Sequence, residues 1–334
     1  MAAPAVLLIG GLLHARKQWE ECASFATLKE FKGKTREEFL QELESGTYDD
    51  VVALYRSNES TSLTGPFNAE MVRKLPKSLK YICHNGAGYD NIDITECSLR
   101  GIDVSSTPVA VNNATADLTL FLLLGALRRI HHPYTAVRAS QWRGTGFQLG
   151  HDPQNKLLGI LGMGGIGREV AVRARAFGMK VQYYNRRRLS PELEQGATYV
   201  SFEELLRTSD VVSLNLALTN ETAGIIGRKE FEMMKQGVII VNTARGKLID
   251  EAALVDALDS GKVYSAGLDV YEAEPKIHEG LLNNPNVMLL PHIGTGTVET
   301  QRNMEILVLD NLKSAVTKGI LLTQVPEQLP KVRL

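Results

Sequence analysis

A doubly wound α/β fold, built as two parallel-sheet bodies, is what this sequence predicts. Three observations carry that reading. Short apolar runs alternate with helix-like stretches along the chain, the pattern of parallel strands covered on both faces. The alternation comes in two series, separated by a polar segment at 151–154. At 334 residues the chain is also too long for one ordinary core, so two domains are the natural expectation.

The first series opens with the apolar run 6–9 and a charged, helix-like stretch at 35–44, followed by apolar runs at 51–55, 81–83 and 102–104. Residues 112–130 read as one long Leu-rich helix, whose uniform hydrophobicity points to burial between two bodies. Pro108 and Pro133 bracket it and are expected to limit its length. The second series runs strand 157–161, helix 166–176 and strand 180–184. It continues through 202–207, 211–216, 237–242, 251–260, 265–268 and 287–290, and a closing helix occupies 299–316. There is no repeat of 20–50 residues and no low-complexity tract. The arrangement implies a doubly wound domain, 112–298, inserted into a smaller α/β domain made of 1–111 and 299–334, with the Asn112 and Glu299 helices as hinges.

Composition excludes several classes. Apolar residues make up 44% and charged ones 22%, ordinary for a globular protein with a sizeable core. Lys+Arg is 37 against Asp+Glu 38, so no overall basic field exists to hold nucleic acid or an anionic membrane. A small anionic substrate would need a local positive site. The N-terminal residues 1–13 are apolar but lack a basic leader and a cleavage signal, so a first strand explains them better than a signal peptide. The run 118–127, between Asp117 and Arg128, is too short to span a bilayer. No targeting signal is recognised at the C-terminus, and Cys22, Cys83 and Cys97 stand apart without a CxxC pair, which suits a reducing compartment. The cytoplasm is the expected location.

Gly162-Met163-Gly164-Gly165-Ile166-Gly167 fits GxGxxG, and its context gives the pattern weight: an apolar strand precedes it and a helix continues through Arg168-Glu169-Val170-Ala171. Gly162 would make the tight turn, Gly164 would let a pyrophosphate approach the backbone, and Gly167 would pack helix on strand. The helix start offers free N–H groups, Gly165 and Ile166 among them, to the phosphates of a dinucleotide. About twenty residues on, an NAD site usually carries an acid that binds the ribose. Here the strand ends Tyr183-Tyr184-Asn185-Arg186-Arg187-Arg188. Asn185 removes the charge that would repel a 2′-phosphate, Arg186 is placed to pair with it, and Arg187 or Arg188 would assist. NADP(H) is therefore expected over NAD(H).

Arg245, Glu274 and His292 each follow an apolar strand of the second series, where a doubly wound sheet places its ligand. Their chemistry fits a 2-keto acid. A guanidinium can hold the carboxylate and polarise the keto group. An imidazolium can protonate the oxygen as hydride reaches carbon, and a carboxylate can keep that imidazole protonated. The pair His131-His132 looks like a metal site but lacks a third ligand nearby, so no metal is expected. Trp19 and Trp142 read as packing residues.

With these residues in place, the chain resembles the D-isomer-specific 2-hydroxyacid dehydrogenases from about Tyr81 to Val325, more weakly before that. GILGMGGIGR, VNTARG, AGLDVYEAEP and LPHIGT stand in that family's order and spacing. CHNGAGYDNID, NNATADLTLFLLLGALR and SAGLDVYEAEPKI look like its fungal glyoxylate reductase branch. The resemblance implies a Rossmann cofactor domain inserted into a flavodoxin-like substrate domain, a homodimer paired through the cofactor domains, and domain closure that excludes water. It makes Arg245 a substrate ligand, His292 the acid/base and Glu274, rather than Glu272, its partner. Asp269 would hold the nicotinamide carboxamide, with Thr243 and Ala244 along the ring, Thr115 reaching the cofactor from the long helix, and Thr219 and Gly294 in flanking segments. Asn85, Gly86, Ala87 and Gly88 would offer backbone N–H groups to the substrate carboxylate, and the segment 56–63, beginning at Arg56, would shape the substrate pocket. One segment departs from the family: Asn215 and Ala217 stand where His and Pro are common, on the adenosine side of the cofactor.

The expected reaction is NADPH-dependent reduction of glyoxylate, with hydroxypyruvate as a second substrate. A bulkier aryl or branched 2-keto acid, of the mandelate type, is the alternative within the class. A formate dehydrogenase is disfavoured, because that branch has Gln at the position of Glu274. A nucleotide-sensing corepressor-like scaffold is the alternative from another class, disfavoured because all three catalytic positions are filled.

Overall fold

The structure, a computed structural model, describes residues 3–329. Those parts of the terminal readings that fall on 1–2 and 330–334 lie outside the described residues. The chain divides into two compact units, one running up to Val111 and resuming at Thr297, the other Asn112–Gly296.

In the first unit five strands, β1 (Ala5–Ile9), β2 (Thr27–Glu30), β3 (Val51–Ser57), β4 (Tyr81–Asn85) and β5 (Asp103–Ser105), form a parallel sheet in the order β2-β1-β3-β4-β5. That is the flavodoxin-like order. β1 is buried along its whole length, as a strand covered on both faces requires. β2 escapes a search for apolar runs: it reads TLKE, is partly exposed, and needs no apolar face because it is the sheet edge. The helix Arg36–Glu44 begins in a capping box between Thr35 and Glu38 and buries Phe39 against Phe31, Tyr48 and Phe67. The helix Val298–Lys318 starts two residues after the unit boundary, on the N-cap Thr297, and stops at Gly319 in the left-handed region. It lays Val308, Leu309 and Leu312 on Val6, Leu8, Tyr55 and Cys83. Its buried Glu305 accepts the backbone N–H groups of Leu13, His14 and Ala15 at 2.8, 2.7 and 2.8 Å, which ties the segment after β1 to this helix.

In the second unit β6 (Leu157–Leu161), β7 (Lys180–Tyr184), β8 (Thr198–Tyr199), β9 (Val211–Leu214), β10 (Val238–Asn242), β11 (Val263–Leu268) and β12 (Val287–Leu289) make a parallel sheet in the order β12-β11-β10-β9-β6-β7-β8. Counted within the unit this is 3-2-1-4-5-6 with one strand added, the Rossmann order. Chain order reverses at β6, flanked by β7 and β9, so the crevice beyond its carboxyl end is where a ligand is expected.

The helix Asn112–Arg128 finds its burial within this unit. Ser265 Oγ donates to Ala126 O at 2.7 Å, and a side chain at Gly267 would meet Leu122 Cβ at 2.8 Å. The uniform hydrophobicity read from the sequence is thus accounted for by the unit's own sheet and the Gly165–Ala176 helix. The expectation that Pro133 ends the long helix is corrected. Arg129, at φ +46°, breaks it, and Pro133 stands third in the next helix, His131–Arg138. There a missing N–H costs nothing, since the first turn has no acceptor for it.

Candidate active site

The glycine loop is shaped by close backbone approaches. Gly162 has φ +93°, and a Cβ there would lie 2.7 Å from Asn215 O; a Cβ on Gly167 would lie 2.5 Å from Gly162 O. Over Gly164 the space is open, with no atom within 4 Å of a would-be Cβ. The loop therefore feeds a twelve-residue helix, Gly165–Ala176, whose N-terminal N–H groups face space a phosphate can fill. Those features fit a dinucleotide.

At the end of β7, Asn185 Oδ1 accepts the Met163 N–H at 2.7 Å, so this side chain braces the glycine loop. Arg186 is 84% exposed and pairs at 3.1 Å with Glu221, itself 74% exposed. So solvated a pair is worth little and exchanges readily for another anion. Arg187 is exposed. Arg188, offered from sequence as a helper, is engaged elsewhere: its guanidinium takes both oxygens of Glu194 at 2.7 and 3.1 Å, and Glu194 also accepts the Tyr183 hydroxyl at 2.7 Å. In the flanking loop Thr219 closes a turn, its N–H donating to Thr222 Oγ1 at 2.8 Å. Asn215 Nδ2 is held by Ser213, its Oδ1 is buried without a partner among the described residues, and its backbone carbonyl is the group that closes on Gly162.

Three adjacent strands, β10, β11 and β12, deliver the polar cluster at their carboxyl ends. After β12, His292 adopts φ +56°, a left-handed conformation that costs a non-glycine residue of order 1–2 kcal/mol. Asp269, at the end of β11, holds it there. The Asp269 carbonyl accepts the His292 N–H at 2.8 Å, and its two carboxylate oxygens accept the Ile293 and Gly294 N–H groups, each at 2.8 Å. Burial pushes the Asp269 carboxyl above the usual carboxylate range, against the pull of those N–H groups and of His292. The family resemblance implies a nicotinamide contact for Asp269; in the structure its hydrogen bonds shape the histidine loop.

Glu274 joins the same cluster. Its Oε2 lies 2.8 Å from His292 Nδ1 and its Oε1 accepts the Tyr271 N–H at 2.8 Å. Burial alone would raise this carboxyl, but His292, the Tyr271 N–H and the nearby Arg245 guanidinium outweigh it and hold Glu274 below the usual range. Arg245 donates to Ala244 O at 2.8 Å, and its own carbonyl is held by Asn242 Nδ2 at 2.9 Å. Gly246 beside it has no room for a side chain, since a Cβ would fall 1.9 Å from the Tyr271 carbonyl carbon. That contact sets the Arg245 turn directly against the Glu274 turn.

Thr115, Asp269 and Gly294 converge: a Cβ on Gly294 would sit 3.3 Å from both Asp269 Oδ2 and Thr115 Cγ2. Thr243 shares a 2.8 Å hydrogen bond with Thr119, and the Ala244 N–H donates to Asn242 Oδ1 at 3.0 Å. Thr119 and Asn242 were not singled out from sequence. A buried polar residue at the end of an apolar strand or within an apolar helix is the signal that marks them.

In the first unit the 85–88 loop follows β4. Asn85 Nδ2 donates to the Tyr55 hydroxyl at 3.0 Å while its Oδ1 is buried without a partner. Arg56, at the end of β3, is fully buried rather than presented on a pocket surface. Among the described residues no group of three or more His, Cys, Asp or Glu side chains could hold a metal ion, and no helix is long and apolar enough to cross a membrane.

The NAD-binding domain model of the D-isomer-specific 2-hydroxyacid dehydrogenases matches residues 120–294. A 4-methyl-2-oxopentanoate reductase A of Aspergillus oryzae is 67% identical over 97% of this chain and 98% of its own length. The chain belongs to the D-isomer-specific 2-hydroxyacid dehydrogenase family. Among solved structures, a glyoxylate reductase from Paecilomyes thermophila is 65% identical, with a TM-score of 0.97 over 98% of this chain and 100% of that one. An NADPH-dependent glyoxylate/hydroxypyruvate reductase from Sinorhizobium meliloti, in complex with NADP and malonate, is 29% identical with a TM-score of 0.85, covering 98% of each chain. The protein is thus an oxidoreductase of the 2-hydroxyacid dehydrogenase class with a pyridine nucleotide cofactor, and both parallel sheets are those of this family's fold.

Proposed function

We propose that this dehydrogenase reduces glyoxylate, and hydroxypyruvate with it, using NADPH, and that His292 is the proton donor. The observation that carries the chemistry is the 2.8 Å contact of His292 Nδ1 with a carboxylate held ionised beside Arg245. With Nδ1–H given to Glu274, Nε2 is the ring nitrogen left for substrate, and a charged imidazole carries a proton there. When bound, the nicotinamide supplies the hydride. Arg245 binds the substrate carboxylate and polarises the keto group, and His292 Nε2–H protonates the oxygen as negative charge develops on it. In the first unit, the N–H groups of the 85–88 loop bind the carboxylate.

Thr115, Thr243, Ala244, Asp269 and Gly294 would hold the nicotinamide end, and the 162–167 loop the pyrophosphate. The NADPH preference rests on Asn185, which removes the ribose-binding acid, and on the exposed Arg186, whose bond to Glu221 a 2′-phosphate can replace. Steady-state kinetics with both cofactors tests it. Wild-type enzyme is expected to favour NADPH, and Arg186→Ala to raise the KM for NADPH about tenfold while leaving NADH unchanged, the effect of one charge-assisted contact. A wild-type preference for NADH would sink the assignment.

A second substrate reading has its own support. The 67% identity to a reductase named for 4-methyl-2-oxopentanoate favours a branched 2-keto acid. The ratio of kcat/KM for that acid and for glyoxylate decides between the two.

We also propose a homodimer formed through the second unit. Tyr134, Val137, Trp142 and Leu149, four large apolar or aromatic side chains of this unit within sixteen residues, are 60, 56, 75 and 84% exposed, and a partner copy would cover them. Light scattering is expected to give twice the chain mass, and Trp142→Glu with Leu149→Glu to shift it toward the monomer.

A further inference from the structure

Beneath the 85–88 loop lies a buried chain of hydrogen bonds that the reaction as proposed does not use. Arg56 and His84 are register partners on the parallel strands β3 and β4, at their carboxyl ends, and neither is exposed. Arg56 Nη1 is 3.2 Å from His84 Nδ1, and its Nη2 donates to Thr61 Oγ1 at 2.8 Å. The guanidinium carbon sits 4.6 Å from the centre of the Phe67 ring. Its Nε is buried without a partner, no ion pair of Arg56 occurs among the described residues, and burial pushes the guanidinium down to about 10, still cationic near neutral pH. A cation so placed is costly to keep, and costly features persist where they serve a site.

What it serves follows from donor chemistry. A guanidinium only donates, so His84 Nδ1 must accept, and the imidazole proton is therefore on Nε2. Nε2 lies 3.1 Å from Gly88 O, so it donates to that carbonyl. The Thr107 N–H binds the Gly86 carbonyl at 3.0 Å. In a trans peptide the N–H points opposite to the carbonyl. Two carbonyls held inward therefore aim the N–H groups of Ala87 and Tyr89 outward, and neither has a partner among the described residues. The imidazole also fills the space beneath Gly86, where a Cβ would meet Nε2 at 2.6 Å.

We infer that Arg56 and His84 are positioning residues: Arg56 fixes the His84 tautomer, and His84 holds the Gly88 carbonyl so that the loop presents its N–H groups to the substrate carboxylate. This rests on the proposed role of the loop in binding a 2-keto acid. The test uses the full-length enzyme. Glutamine places its amide nitrogen near the position of the imidazole Nε2, whereas asparagine reaches only as far as Nδ1. His84→Asn is expected to raise the KM for the 2-keto acid about tenfold, the value of one buried hydrogen bond, with kcat and the KM for NADPH little changed. His84→Gln is expected to bring KM back toward wild type. Equal impairment of the two variants, or no change in either, overturns the inference. Nitrogen-15 NMR of the imidazole gives a readout that needs no turnover: wild type is expected to show the Nε2–H form, and Arg56→Met to lose that single form. An Nδ1–H signal in wild type overturns the inference as well. Absence of turnover with every 2-keto acid, beside an intact Nε2–H signal, would sink the proposed reaction instead.

Discussion

Replacing His292 with glutamine is expected to lower kcat for 2-keto acid reduction by about 10³-fold, within the range a general acid contributes. The side chain is carried on a backbone held at φ +56° by the Asp269 contacts, and its Nδ1 is taken by Glu274. That leaves one nitrogen, in one orientation, to deliver the proton. Glutamine can still hydrogen-bond there but cannot supply a proton of comparable acidity. Single-turnover rates at saturating cofactor measure the effect, and a loss of less than tenfold would remove His292 from the proton-transfer step. Glu274→Gln should cost less, since it keeps the shape and removes the charge. The sign of its pH effect is set by the lowered Glu274 carboxyl. A carboxyl whose value is depressed on folding adds stability above its unfolded value, and that stability is lost as pH falls through the folded one. Melting temperature followed across the acid range is expected to decline less steeply in Glu274→Gln than in wild type.

Arg245→Met is expected to lower kcat/KM by about 10³-fold, from the loss of two charge-assisted hydrogen bonds to a planar carboxylate. Arg245→Lys should recover only part of this, because an ammonium keeps the charge without the fork. The contact of Gly246 with the Tyr271 carbonyl makes the position of Arg245 depend on two turns at once. The KM for NADPH in both variants serves as the control for folding. If Arg245→Lys matched wild type in kcat/KM, bidentate carboxylate binding by this residue would be untenable.

Much of the second unit is readable from residue order, for a physical reason. Its strands are largely buried, so apolar side chains dominate them: 157–161, LLGIL, coincides with β6, and 180–184, KVQYY, with β7, where Val181 and Tyr183 are buried and the polar Lys180 begins the strand exposed. Gly162 and Gly167 are marked because no side chain fits where backbone meets backbone. Edges and ends are harder. β2 is polar because half its backbone faces outward, and the break at Arg129 comes from a dihedral angle that no residue type demands.

The sequence alone determined the fold class and the family, and it singled out the 162–167 loop and Arg245, Glu274 and His292 as candidates, because local periodicity and motif order are written directly in residue order. Only the tertiary structure decided what each polar group spends its hydrogen bonds on. Arg188 is drawn to Glu194, Asp269 binds two N–H groups of the histidine loop, Asn185 braces Met163, and Arg56 lies buried on His84. Most of these partners come from separate strands and loops, and hydrogen bonds act over about 3 Å of space rather than along the chain. Residue order cannot express that distance until the sheets have formed.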